Sequence, residues 1–196
     1  MLNLDKNFWS NRYTEKSTGW DLGTVSPPLK MYFDQLTDKS IHILIPGAGN
    51  AHEAEYLHNQ GFTNVYVADI SSLPLDNLKK RCPTFPEKHL LCTDFFEISA
   101  SFNLIVEQTF FCALNPNLRA MYFQKVHAML KKDGKIAGVL FSTPLNTDQP
   151  PFGGSKEEYL QYFAASFEIL HYEKCHNSIV PRADRELFFC LKKKSL

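Results

Sequence analysis

Apolar positions along this chain fall into two alternating rhythms. Short, nearly continuous apolar runs at 41–46, 64–69, 89–93, 103–107 and 135–141 have the length of strands buried on both faces. Between them, residues 50–60, 72–81 and 116–131 carry apolar side chains at helical spacing. The last of these is the clearest, with Leu118, Met121, Tyr122, Val126, Met129 and Leu130 on one stripe. Asn115 stands where it would cap this helix, Pro116 suits its first turn, and Gly134 marks its end. Asn50 and Glu53 have capping-box spacing, with Gly61 as a stop after Leu57, and Ser155 and Glu158 repeat the box ahead of Tyr159, Leu160 and Phe163. Two extended stretches, 167–176 and 184–192, follow without a helix between them and read as an antiparallel pair at a sheet edge. The pattern predicts an α/β fold in one domain, residues 1–196, with a doubly wound, mostly parallel sheet of seven strands. Ligands are expected at the carboxyl ends of its strands. Residues 142–154, with their prolines and paired glycines, form the one long loop and read as a lid.

The strand ends carry the chemistry. His42-Ile43-Leu44-Ile45-Pro46-Gly47-Ala48-Gly49-Asn50-Ala51 runs an apolar strand into a glycine turn, and Asp69 closes the next strand. Gly47 and Gly49 permit a sharp turn and a close approach of ligand to backbone, and a carboxylate at Asp69 can accept both hydroxyl hydrogens of a ribose. A dinucleotide fingerprint needs a third small residue where His52 stands, so a nucleoside fits this turn better than a pyrophosphate. Asp94-Phe95-Phe96 ends the third strand and Glu107-Gln108-Thr109-Phe110-Phe111 the fourth. Asp94 could accept from an exocyclic amine and Phe95 could meet adenine. Each also has a plainer role, Asp94 capping a turn and Phe95 filling the core.

Charge narrows the partners. The chain has 21 acidic and 21 basic residues, so nothing draws it to nucleic acid or to an anionic membrane. Lys79-Lys80-Arg81 and Lys192-Lys193-Lys194 read as a helix C-terminus and a solvated tail. Without an apolar signal core at 1–10 or a run of ~18 apolar residues, the expected location is cytoplasmic. Five cysteines without a C-x-x-C pair agree with reduced thiols. The seven histidines include no i,i+4 pair, and no metal site is expected. Cys112 reads as a small buried hydrophobe before it reads as a nucleophile.

Several runs taken together resemble a known family. They are Phe8-Trp9 with Arg12-Tyr13, Thr18-Gly19-Trp20-Asp21-Leu22-Gly23, Ile45-Pro46-Gly47-Ala48-Gly49, Ala68-Asp69-Ile70-Ser71 and Thr93-Asp94-Phe95-Phe96. Phe110-Phe111-Cys112-Ala113-Leu114, Leu130-Lys131-Lys132-Asp133-Gly134, Pro150-Pro151-Phe152, His176-Asn177-Ser178 and Arg182 complete the set. The chain resembles the class I S-adenosylmethionine-dependent methyltransferases, with their Rossmann-like sheet, and among them the thiopurine and halide/thiol methyltransferases. The resemblance implies that residues 1–40 form a helical cover over a site for S-adenosyl-L-methionine, with S-adenosyl-L-homocysteine as product. It implies cofactor contacts from Trp9, Trp20, Gly47, Gly49, Asp69, Ile70, Asp94, Phe95 and Gln108. A substrate pocket would include Tyr13, Phe110, Phe111 and Phe152. Arg12 and Arg182 are candidates to favour an anionic nucleophile. The Ala51 methyl, where many relatives have glycine, is a tolerable change, and Gln108 weakens a halide assignment. The expected reaction is methyl transfer to a small soft nucleophile, a thiol or thiopurine-like sulfur, by a monomer. A halide or oxygen acceptor, a non-catalytic binder of the methyl donor or its product, and more remotely a pyridine-nucleotide oxidoreductase stay open as alternatives.

Overall fold

The computed structural model describes residues 2–195. Seven strands are present: β1 (Ile43–Pro46), β2 (Val65–Asp69), β3 (Leu90–Cys92), β4 (Phe102–Gln108), β5 (Leu130–Phe141), β6 (Phe167–Lys174) and β7 (Glu186–Lys193). They form one sheet in the order β3-β2-β1-β4-β5-β7-β6. The first five run parallel, while β7 lies antiparallel between β5 and β6. This is the predicted doubly wound sheet with its antiparallel C-terminal edge. Chain order reverses between β1 and β4, which opens a crevice at their carboxyl ends.

Alternation along the central strands divides the core. Ile43, Ile45, Val65, Val67, Leu104, Val106, Ala137 and Val139 face one side. There they meet helices α2 (Pro27–Phe33), α3 (His52–Asn59) and α4 (Ser72–Arg81) through Leu29, Phe33, Ala54, Leu57, Leu75 and Leu78. Leu44, Ala68, Ile105, Ile136 and Leu140 face the other side, against Tyr122, Phe123 and Val126 of α5 (Arg119–Met129) and Tyr159 and Phe163 of α6 (Lys156–Phe163). Covering both faces is what lets parallel strands be apolar on successive residues. A short N-terminal helix, α1 (Lys6–Thr14), buries no side chain completely; Asp5 caps it by accepting from the Phe8 amide.

Three local expectations are corrected. The helix anticipated over 116–131 is a single 3-10 turn at Pro116–Leu118 followed by α5, and Leu130 already starts β5, so Gly134 lies within a strand. Met129 and Leu130 are both buried, so the apolar rhythm runs unbroken across the helix-to-strand boundary, while Met121 points outward. Asn50 and Glu53 do not form a capping box. Ala51 occupies the N-cap of α3 at φ +56°, and Glu53 accepts instead from the buried Ser26 amide, 2.9 Å away. At α6 the box is half made: Ser155 Oγ accepts from the Glu158 amide, but the Glu158 carboxylate turns to Arg119.

Candidate active site

Above the carboxyl ends of β1, β2 and β4 lies a cavity of about 810 Å3, within the range that holds a small-molecule ligand. Its floor comes from the glycine turn after β1. Gly47 and Gly49 both sit at φ +53°, in the left-handed region where a Cβ is disfavoured. A Cβ on Gly47 would also stand 2.0 Å from the ring of Phe110, which lies across the turn. Ala51 shares this backbone conformation, which explains why glycine is the more comfortable residue there.

Asp69 is the fixed polar element of the cavity. Its Oδ2 accepts from the Gly49 amide at 3.1 Å and its Oδ1 from the Ser71 amide at 2.9 Å. A carboxylate has about four acceptor positions, so capacity remains for two hydroxyl groups. Burial raises its pKa to about 6 despite these hydrogen bonds. Tyr13 stands close by, its ionisation pushed well above the ordinary tyrosine range by burial and by the Asp69 charge. Trp20 packs edge-on against both Tyr13 and Trp9, with centroids 5.9 and 5.7 Å away.

Most of the residues singled out from sequence line this cavity: Trp9, Arg12, Tyr13, Trp20, Gly47, Asp69, Ile70, Asp94, Phe95, Phe110 and Arg182. Asp94 also has its plainer role, since Oδ1 accepts from the Phe96 amide, and Phe95 is largely core, tilted over Tyr122. Four residues are off the wall. Gly49 acts through its amide on Asp69. Gln108 keeps its side-chain oxygen buried and without a hydrogen-bond partner among the described residues. Phe152 is buried, with its amide donating to Cys112 O. Phe111 corrects its expected place in the substrate pocket: its ring packs in the core against Tyr122, Phe123 and Tyr159. The cover is also shorter than anticipated, because residues 2–20 reach the cavity whereas α2 packs against the sheet.

Glu107, in the run that ends the fourth strand, turns inward. It is wholly buried, and Oε1 accepts from the amides of Phe110 and Phe111, each at 2.8 Å, while Oε2 accepts from Tyr122 Oη at 2.6 Å. Burial raises its pKa to about 7. These bonds shape the loop that lays Phe110 over Gly47 and sends Phe111 into the core. Gly138 on β5 is the matching small residue, since a Cβ there would lie 2.4 Å from Glu107 Cβ. Arg119 was missed too; it is buried, bonds Glu158 Oε1 at 2.7 Å and Gly153 O at 2.8 Å, and so ties α5 to the 142–154 loop. Two of Glu107's partners are the amides three and four residues on, but Tyr122 lies 15 positions away, and the Arg119 partners Gly153 and Glu158 lie 34 and 39 away, beyond any local sequence signal.

Among the cations, Arg12 bonds Ser17 Oγ and lies over the Phe8 ring. Arg182 is buried, donates to Trp20 O at 2.7 Å and pairs with Glu186 at 3.4 Å. Arg185, not singled out from sequence, joins them on the cavity wall. Cys112 also lines the cavity, but burial and the Glu107 charge push its thiol up to about 12, so it is a neutral wall group.

The cofactor anticipated from sequence can be tested against these residues. A buried, pre-oriented carboxylate with spare acceptor capacity beside a glycine turn suits a ribose. An aromatic cluster at the same cavity suits a sulfonium. The residues fit S-adenosylmethionine. Comparison with other proteins agrees. The chain is 26% identical over 193 residues to a probable thiol methyltransferase 2 from Arabidopsis thaliana, covering 95% of this chain and 85% of that one. It is 22% identical over 177 residues to a thiopurine S-methyltransferase from Photobacterium profundum, covering 82% and 83%. In fold it is similar to a Burkholderia thailandensis 1,6-didemethyltoxoflavin-N1-methyltransferase solved with its substrate and S-adenosylhomocysteine bound. That match has a TM-score of 0.79 at 15% identity, covering 97% of this chain and 87% of that one. The sequence model of the thiopurine S-methyltransferase family matches residues 4–194. Matched along nearly its whole length, the chain belongs to the thiopurine S-methyltransferase family, whose enzymes draw their methyl group from S-adenosylmethionine.

Proposed function

We propose that this enzyme methylates the sulfur of a small thiol or thiopurine-like acceptor. The observation that carries the reading is the make-up of the cavity wall. Among the described residues that line it, the ionisable groups are two aspartates, three arginines, Tyr13 and Cys112, and neither histidine nor lysine is present. Burial holds Tyr13 and Cys112 protonated at neutral pH. With Asp69 and Asp94 given over to the cofactor in this reading, no other group in the set can take a proton from a poorly acidic acceptor, so the acceptor has to arrive as its own nucleophile. A thiol, with a pKa near ~8.5, does so through its thiolate fraction. The similar Arabidopsis protein is named for a thiol, the Photobacterium protein for a thiopurine, and a Brassica oleracea relative, 23% identical over 190 residues, for thiocyanate. All three acceptors carry sulfur.

In this reading Asp69 holds the ribose hydroxyls, with Ile70 beside it, and Gly47 passes its backbone along the cofactor. Asp94 and Phe95 hold the adenine. Trp9, Trp20 and Tyr13 close over the methionine end. Bound there, S-adenosylmethionine supplies a methyl group on a positively charged sulfur, open to displacement in line by the acceptor. The protein's share is to hold the two reactants at attack distance and to exclude water from an anionic nucleophile. Phe110 and the apolar side chains Leu114, Leu118 and Leu145 provide the dry wall. Arg12 and Arg185 lend positive potential to the acceptor. Arg182 does so less directly, since its guanidinium is committed to Trp20 O and Glu186. In this reading the enzyme acts as a monomer of one domain. Unpaired cysteines throughout are in keeping with the cytoplasm.

Methyl transfer from labelled S-adenosylmethionine to iodide, bisulfide, thiophenol, a thiopurine and a catechol tests this. Product from the sulfur compounds alone is the expected result. Turnover of iodide or catechol at a comparable rate overturns the sulfur assignment. Arg12→Met should lower the rate at pH 7 more than at pH 9, where thiols ionise unaided; an unchanged pH–rate profile removes Arg12 from the mechanism.

A further inference from the structure

Residues 18–26 run across the site without helix or strand, so the ladder that fixes most backbone is missing here. Trp20, one wall of the cavity, lies in this stretch and depends on other anchors. Its own carbonyl accepts from Arg182. The next residue, Asp21, accepts through Oδ1 from the Gly23 amide at 2.8 Å and meets His52 Nε2 at 2.8 Å, while Oδ2 accepts from Asn50 Nδ2. Asn50 in turn accepts from Asn77 on α4 at 3.0 Å. Five residues past Asp21, the Ser26 amide donates to Glu53. Asn50, His52 and Glu53 are the residues that open α3, directly after the glycine turn. The cover is thus fastened to the cofactor loop itself.

This arrangement gives His52 a purpose. The position that in a dinucleotide fold is kept small for helix packing here carries a side chain that reaches across to Asp21. His52 hydrogen bonding is also the largest influence holding the Asp21 carboxyl below the usual carboxylate range, followed by Asn50 and the Gly23 amide against the cost of burial. An ionised acceptor facing imidazole and amide donors makes a stronger contact than a neutral pair would. Both side chains keep less than a fifth of their surface exposed.

The geometry points to Asp21 and His52 as a latch, a pair of positioning residues that seat Trp20 and Tyr13 over Gly49 and so govern how fast cofactor and product leave. This deepens the cofactor half of the function given above and is independent of the acceptor. The protein provides its own probe, because its only two tryptophans, Trp9 and Trp20, both belong to the cover. The variants His52→Ala, His52→Gln, Asp21→Asn and the double variant Asp21→Asn/His52→Ala are read by three measurements. These are tryptophan emission of the ligand-free protein, S-adenosylhomocysteine affinity by calorimetry, and its dissociation rate by stopped flow. No acceptor is present, so a wrong sulfur assignment leaves the result untouched. His52→Ala should red-shift the emission, weaken product binding about tenfold and speed release by a similar factor, roughly what one lost hydrogen bond to a charged group gives. The melting temperature should move by less than about 3 °C. His52→Gln, whose amide can still donate to Asp21, should recover most of the affinity. The double variant should be no worse than the poorer single, because either change opens the same contact. Wild-type affinity and release in His52→Ala overturn the latch, as do strictly additive effects in the double variant. Should His52→Ala fail to fold, the comparison of Asp21→Asn with His52→Gln decides it: matching losses overturn the latch, and loss in the first alone supports it.

Discussion

Asp69 and Glu107 stand at the carboxyl ends of two strands on either side of β1, and they differ chiefly in who their partners are. Both carboxyl groups are buried, both accept two backbone amides, and burial raises both pKa values, to about 6 and about 7. Asp69 lies on the cavity wall with acceptor positions to spare. Glu107 has a third protein donor in Tyr122 Oη and lies outside the cavity. A strand-end acid in a doubly wound sheet therefore becomes a ligand group only when the fold leaves some of its lone pairs unclaimed. The acid at β4 instead serves the neighbouring loop. By capturing two successive amides it turns Phe110 outward over the glycine turn and Phe111 inward to the core.

The sharpest way to break this comparison is to remove Glu107. Glu107→Ala leaves three buried donors unpaired, at about 1–3 kcal/mol each, and partial relaxation should bring the total loss of stability to about 3–5 kcal/mol. Glu107→Gln keeps an oxygen for the two amides and offers its own N–H to Tyr122, whose hydroxyl can rotate to accept. Most of the stability should return. Chemical denaturation of both variants measures this, and equal losses in the two would show that the charge, not the hydrogen-bond pattern, holds the loop.

Asp69→Asn should do the reverse. It keeps the volume but loses an ionised acceptor, so product affinity should fall about 100-fold while the melting temperature stays within a few degrees of wild type. Calorimetry with S-adenosylhomocysteine and a thermal melt suffice. A variant that melts early but still binds product would place Asp69 with Glu107, as a structural acid.

The contrast also shows why one carboxylate was legible in the sequence and the other was not. Asp69 belongs to a local pattern: an apolar strand, a glycine turn and a second strand ending in an acid, all within about 25 residues and all dictated by backbone geometry. Glu107 is held inward by Tyr122 and admitted by Gly138, which reach it from α5 and β5, and only there do the neighbouring Phe110 and Phe111 amides find it. The same distinction runs through the molecule. Strand alternation and the antiparallel edge were legible because periodicity is local, and Gly61, at φ +86°, ends α3 as composition suggested. The α5–β5 boundary was not legible, because a helix and a strand that both bury their ends share one apolar run. Nor was the Asp21–His52 contact, whose members are 31 residues apart and meet only once the cover folds back.

The smallest effect separates the two acids by the direction of their pH response. A carboxyl group whose pKa is raised by folding holds its proton more tightly in the native state than in the unfolded chain. Below about pH 4 both states are protonated, and neither Asp69 nor Glu107 alters stability. As pH rises, the unfolded chain gives up these protons first. The ligand-free protein should therefore lose stability from about pH 4 up to about pH 6 on account of Asp69, and up to about pH 7 on account of Glu107. Cofactor binding should respond with the opposite sign. The ribose hydroxyls need an acceptor, so affinity should rise with pH through about 6 and fall up to tenfold between pH 7 and pH 5. Asp69→Asn should flatten the affinity profile and leave the Glu107 part of the stability slope in place. Glu107→Gln should flatten that part of the slope and leave the affinity profile alone. If Glu107→Gln altered the affinity profile instead, the inward-facing acid would be acting on the ligand through Phe110, and the division between the two strand ends would have to be redrawn.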